Sequence, residues 1–223
     1  MRIIFIPGFG EDEFIFSRIA PLFDGDKLLL NSWKLLGNEP RDNFNALKFA
    51  EEFISKYHIT GRDILIGHSM GGWIAYHVKH LINCPIIHVA SMTNTDRIIP
   101  PVFNHPVAYW LIKKDLVFNS FTQWLSATIV YNNRNSKGIF LYIVDLLKKG
   151  NKENVINQLK VVLNPVNEVI TEQPDLRIHS KGDTILKPPR EPYYEVTGDH
   201  FTLYTHPKEV YLPIADFLRK CNF

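Results

Sequence analysis

Apolar residues run unbroken from Arg2 to Ile6 and stop at Pro7-Gly8-Phe9-Gly10, the pattern of a buried parallel strand entering a loop. Phe14 to Phe23 predicts a short helix with Pro21 near its end, and Lys27 to Asn31 a second strand. Residues 45–58 carry Ala46, Phe49, Ala50, Phe53 and Tyr57 on one helical stripe, with Gly61 beyond the end. A strand at 63–67, a helix at 72–82 and a strand from Pro85 to Ala90 follow. Strands alternating with helices predict an α/β fold built on a parallel sheet.

The alternation stops from about Thr93 to Glu172. Pro100, Pro101 and Pro106 punctuate a loop, and helical periodicity then dominates, with Phe121, Trp124, Leu125 and Ile129 on one stripe. Further helices are predicted at 138–149 and 152–163, the last ended by Pro165. Leu176 to His179 and Tyr193 to Val196 read as strands, and 207–220 as a terminal helix with Val210, Ile214, Phe217 and Leu218 inward. The expected organisation is a core of residues 1–92 and 173–223, with a helical insertion at 93–172.

One turn in this pattern carries chemistry. Gly67-His68-Ser69-Met70-Gly71-Gly72 lies between the apolar strand ending near Ile66 and a helix. A strand-to-helix turn that sharp forces its central residue into a strained backbone conformation and pushes the hydroxyl of Ser69 outward. Flanking side chains would collide, hence Gly67 and Gly71. A serine hydroxyl needs a base, an acid to orient that base, and donors for an oxyanion. His200 follows the last strand in Thr197-Gly198-Asp199-His200-Phe201 and is the expected base. Asp183, in Ser180-Lys181-Gly182-Asp183, is the expected acid. Asp96 is its rival, and Asp199 the weaker candidate because its side chain adjoins His200. The expected donors are the backbone N–H groups of Met70, at the helix start, and Phe9, after the first strand. His77 and His80 lie three apart on the helix after Ser69, where a plain helix face is favoured over a metal pair for want of a third ligand. His68 is expected to support the turn.

Composition narrows the function classes. The 223 residues are 45% hydrophobic, enough for one buried core. A net charge of +2 with scattered Lys and Arg argues against nucleic acid as partner. Cys84 and Cys221 stand in no metal or redox spacing and read as free thiols. No apolar run approaches the roughly 18 residues of a membrane span, and the N-terminal run is too short for a signal peptide, so a cytoplasmic protein is expected. No metal and no cofactor is implied.

Together these segments resemble the α/β-hydrolase fold superfamily over essentially the whole chain. Pro7-Gly8-Phe9-Gly10 is similar to its oxyanion loop and Gly67 to Gly72 to its nucleophile elbow. Ile178 to Asp183 resembles the acid loop, and Gly198-Asp199-His200-Phe201 the histidine loop, in the superfamily's order Ser, Asp, His. The resemblance implies a compact, mostly parallel sheet of about six strands flanked by helices, with a helical cap at 93–172. It implies acyl transfer to water through a Ser69–His200–Asp183 triad. Pro7 departs from the usual histidine, Asp199 from the usual glycine, and the chain begins at the strand that is usually third. Residues 184–190 are too short and proline-rich for a normal crossover helix.

The expected function is hydrolysis of a small carboxylic ester or thioester. Trp110, Phe121 and Trp124 of the aromatic insertion are candidate substrate contacts, or equally the insertion's own core. Alternatives are a hydroxynitrile lyase or C–C bond hydrolase with the same triad, or a non-catalytic ligand-binding member of the fold.

Overall fold

A computed structural model describes residues 2–99, 105–114, 116–117, 131 and 134–221. Six strands form one fully parallel sheet in the order β2-β1-β3-β4-β5-β6. They are β1 (Ile3–Ile6), β2 (Lys27–Leu29), β3 (Ile64–His68), β4 (Ile86–Val89), β5 (Leu176–His179) and β6 (Tyr194–Glu195). Eight α-helices lie among the described residues: α1 (Ser32–Leu36), α2 (Ala46–Tyr57), α3 (Met70–Ile82), α4 (His105–Lys113), α5 (Lys137–Lys149), α6 (Lys152–Leu163), α7 (Thr202–Thr205) and α8 (Pro207–Lys220). This is the α/β hydrolase architecture with the expected number of strands.

Strand alternation divides the core. Ile3 and Phe5 face one layer, with Ile15, Phe16 and Ile19 from the loop after β1 and Val210 and Ile214 from α8. Ile4 and Ile6 face the other, against Phe49 and Phe53 of α2 and Ile74 and Val78 of α3. The inner strands β1, β3 and β4 are buried at every position, as a parallel sheet covered on both faces requires. The helices between β4 and β5 share these same clusters. Ile139, Ile143 and Leu147 of α5 join the first, and α6 contributes Val155 to the first and Val161 to the second.

Several predicted elements shift. The helix expected over Phe14 to Phe23 is two short 3-10 turns, Glu13–Phe16 and Ala20–Leu22. Pro21 near the start of the second turn has no N–H with which to continue a helix from the first. Helix α3 begins at Met70 rather than at Gly72. Helices α1 and α7 are additional. The aromatic stripe of Phe121, Trp124, Leu125 and Ile129 lies outside the described residues.

The sheet order reverses direction at β1 and β3, so the loops leaving their carboxyl ends border a crevice. Phe5 pairs with Ile66 and Ile6 with Gly67, which brings Pro7 alongside the turn at Ser69. The approach is close. A Cβ on Gly71 would lie 1.9 Å from the Ile6 carbonyl oxygen, and one on Gly67 2.3 Å from the Gly72 nitrogen. The two elbow glycines are therefore needed for different reasons: Gly67 against the helix start, Gly71 chiefly against β1. Gly138, near the start of α5, has open space around it. Gly71→Ala is expected to lower the unfolding free energy by about 3 kcal/mol or prevent folding, whereas Gly138→Ala leaves it unchanged or raises it by up to about 1 kcal/mol. Urea titration of both variants checks this.

Candidate active site

Ser69 holds φ 51° and ψ −119°, a region that side chains adopt only under local constraint. Its N–H donates to Val89 O (3.1 Å). Its carbonyl accepts from Gly72 N (3.1 Å), Trp73 N (3.3 Å) and Ser91 Oγ (2.7 Å). The residue is thus fixed from the strand, the helix and the loop after β4. Met70 opens α3, where the first backbone N–H groups have no intrahelical acceptor.

His200 is buried in the loop after β6. Its Nδ1 lies 2.8 Å from Asp183 Oδ2, in the loop after β5. A carboxylate there can only accept, so Nδ1 carries the proton and the Nε2 lone pair is left available as a base. The other Asp183 oxygen, Oδ1, accepts from the N–H groups of Ile185 (2.8 Å) and Leu186 (2.9 Å). Burial opposes ionisation of Asp183. The His200 ring, the Leu186 N–H and His179 outweigh it and hold the carboxyl below the usual carboxylate range.

The rival acids are placed elsewhere. Asp96 is exposed on a 3-10 turn, 3.9 Å from Arg190. Asp199 is buried and accepts from Ser136 Oγ and from the Phe201 N–H, with Arg134 Nη1 at 3.5 Å. The same Arg134 nitrogen donates to Gly182 O at 2.9 Å. The extra charge beside the base is therefore met by the segment that leads into α5.

Ser69 and His200 both line an apolar cavity of about 450 Å³, along with Phe9, Glu11 and Met70. Its far walls are Leu111 and Ile112 of α4, Ile143 and Leu147 of α5, and Leu159 and Val162 of α6. Trp110 does not reach this wall and is 54% exposed, because α4 turns Leu111 and Ile112 inward. Phe121 and Trp124 lie outside the described residues. The aromatic expected as a contact is thus replaced by aliphatic neighbours on the same helix.

Two supports lie outside the motifs singled out in the sequence. Glu11, 2% exposed, accepts from the Gly8 N–H at 2.5 Å and lies 2.9 Å from His68 Nδ1. His68 Nε2 in turn lies 2.9 Å from His200 O. Gln158 of α6 accepts from the Gly10 N–H at 2.7 Å. The polar residues of α6 fall at Asn154, Asn157 and Gln158, on a buried helical face, and an amide stripe at that spacing was the available signal. Asn154 Nδ2 donates to Trp33 O (2.8 Å), and Asn157 Nδ2 to Glu39 O (2.8 Å).

Three further histidines, His77, His80 and His88, stand apart from this group. His80 faces Glu172 (3.0 Å) and Glu168 (3.3 Å). His77 Nδ1 donates to Trp73 O (2.8 Å), and burial lowers its pKa to about 4. Burial, then Arg177, lowers that of His88 to about 3. Among the described residues no group of three or more His, Cys, Asp or Glu side chains could hold a metal ion.

A profile of the Alpha/beta hydrolase family matches residues 3–211. No curated protein sequence matches the chain. An esterase from Thermogutta terrifontis is similar in structure over 99% of this chain and 90% of its own, with a TM-score of 0.71 and 16% identity. A hydrolase from Oleispira antarctica matches 98% of this chain and 90% of its own (TM-score 0.72, 13% identity). An esterase from Exiguobacterium antarcticum matches 98% and 92% (TM-score 0.68, 12% identity). At these identities the likeness is one of fold.

The depressed histidines set a pH dependence. The unfolded chain binds protons at these residues near pH 6.5, whereas the folded chain does so only near pH 4 and 3, so unfolding takes up protons between those values. The contribution of these two histidines to stability is complete above pH 6.5 and falls toward pH 4, by up to about 1.4 kcal/mol per pH unit for each. Chemical denaturation of wild type and His77→Leu between pH 7 and 4 should show the shallower slope in the variant.

Proposed function

The chain belongs to the Alpha/beta hydrolase family, and on that footing we propose that it is a serine hydrolase cleaving a small carboxylic ester or thioester. The observation that carries this reading is the convergence of a strained Ser69 and an Asp183-paired His200 on one apolar cavity.

In this mechanism Ser69 Oγ attacks the acyl carbon while His200 Nε2 takes its proton. Asp183 holds the ring in the tautomer that leaves Nε2 free and stabilises the imidazolium that forms. The developing oxyanion is met by the backbone N–H groups of Phe9 and Met70. His200 then protonates the leaving alcohol or thiol. Water, activated by the same ring, hydrolyses the acyl-enzyme and restores Ser69. No cofactor enters any step.

A cavity of about 450 Å³ is within the range of small-molecule sites. Its aliphatic far walls favour an uncharged, apolar acyl or leaving group. We read residues 93–172 as a cap supplying those walls. No described helix is long and apolar enough to cross a membrane.

A fluorophosphonate probe is expected to label Ser69 in the native protein, and Ser69→Ala to abolish labelling; an unlabelled native protein refutes the proposal. Asp183→Asn should lower kcat by about 10⁴-fold on a p-nitrophenyl ester series, while Asp96→Asn stays within twofold. A large loss in Asp96→Asn instead would reassign the acid.

A further inference from the structure

Three loops must agree in position for the proposed chemistry: the one after β1 with the Phe9 N–H, the turn with Ser69, and the loop with His200. Backbone bonding from the sheet reaches the second of them through the Ser69 N–H on Val89 O, but does not join the three loops to one another. Their relative placement is instead joined by two buried side chains, Glu11 from the first loop and His68 from the second, which meet each other and touch the third.

The hydrogen-bond chemistry fixes the protons. His68 Nε2 faces the carbonyl oxygen of His200, which can only accept, so Nε2 carries a hydrogen. His68 Nδ1 faces Glu11 Oε2, the same oxygen that accepts the Gly8 N–H. A proton must lie between Nδ1 and Oε2, and Oε2, which already accepts the Gly8 N–H, is placed to accept from Nδ1 as well. The ring is then an imidazolium, paired with a carboxylate and fully enclosed. Burial alone would disfavour that charge, but attraction to Glu11, the hydrogen bonds to Glu11 and His200 O, and the charge of Asp183 raise the His68 pKa above the ordinary imidazole value.

We propose that Glu11 and His68 are positioning residues of the active site, a buried ion pair that sets the distance between the oxyanion loop, the nucleophile and the base. The inference rests on the serine-hydrolase reading above. The space around the pair is already full. A Cβ on Gly8 would sit 2.8 Å from Glu11 Oε2 and 3.0 Å from Ser69 Cβ. The Gly8 carbonyl is held by Ser32 Oγ (2.9 Å) and the Glu11 N–H (3.2 Å). Gly8 is thus clamped at both ends of its peptide groups, and Phe9 follows it directly. Loss of the Glu11 charge strands the imidazolium, and either His68 gives up its proton or the loops move apart. Both outcomes displace the groups that act on the transition state more than those that hold the ground-state acyl chain.

Glu11→Gln keeps an acceptor for the Gly8 N–H but removes the counter-charge. On p-nitrophenyl esters it should lower kcat by about 10²-fold with KM within threefold, as a displacement of about 1 Å near the reacting atoms does. The fluorophosphonate labelling rate constant should fall in step, while the fraction labelled at saturation, which reads folded protein, stays near that of wild type. His68→Gln should behave alike, and the double variant should fall no further than the worse single change, since one interaction is removed twice. If Glu11→Gln does not fold, His68→Gln reads the same split from the other side. A kcat within twofold of wild type, a loss confined to KM, or losses that multiply in the double variant overturn the proposal while wild type still labels at Ser69. Wild type that fails to label overturns the serine-hydrolase reading and this inference with it.

Discussion

The backbones at the start of α3 and the end of β1 pass each other with no room for a side chain between them. Gly71 passes the Ile6 carbonyl at a distance that admits no side chain. The strain at Ser69, the helix beginning one residue later and the alignment of the first loop beside the elbow all depend on it. A helix set back to make room for a Cβ would carry Met70 away from the crevice and relax the serine toward an ordinary turn. The strain persists because packing on both faces of β1 and β3 over-determines it.

Around that contact the protein places an unusual density of polar groups out of water. Asp183, His200, Glu11, His68 and Asp199 are all nearly inaccessible, and each would cost several kcal/mol to bury unpaired. None is unpaired. Asp183 meets His200 and two backbone N–H groups, Glu11 meets His68 and Gly8, and Asp199 meets Ser136, Arg134 and Phe201. Such pairing adds little net stability against an apolar replacement. What it gives is a single arrangement of loops that carry no ladder hydrogen bonds among themselves.

The sheet was legible because its strands are short, continuous and punctuated by glycine or proline. All six predicted strands differ from the observed ones by no more than two residues at either end, and the helices at 45–58, 138–149, 152–163 and 207–220 agree as closely. Legibility failed where tertiary contact overrides local pattern. Phe14 to Phe23 has helical spacing, yet its apolar residues are drawn individually into the core as two 3-10 turns. Residues 32–36 and 202–205 are too short for periodicity to register. In the site, Ser69, Asp183 and His200 each follow a recognisable strand, so position alone singled them out. Glu11 follows no motif and acts across a sequence separation of 57 residues. Trp110 was a candidate as an aromatic of the insertion, but the direction of a side chain on a helix depends on what the helix rests against.

The amides on α6 fasten that helix to carbonyls of residues 33–39, and Gln158 also reaches the Gly10 N–H beside the proposed oxyanion donor. Leu159 and Val162, on the same helix, line the cavity. In the proposed enzyme one helix thus both lines the cavity and braces the loop after β1. Residues facing the cavity can be exchanged one at a time to suit a new substrate while the amide row is kept. Exchange of the whole insertion for a foreign one would detach the catalytic loop from its anchor. Diversification within this lineage should proceed by point substitutions along α5 and α6, with wholesale module replacement accessible only to insertions that bring an amide of their own to Gly10.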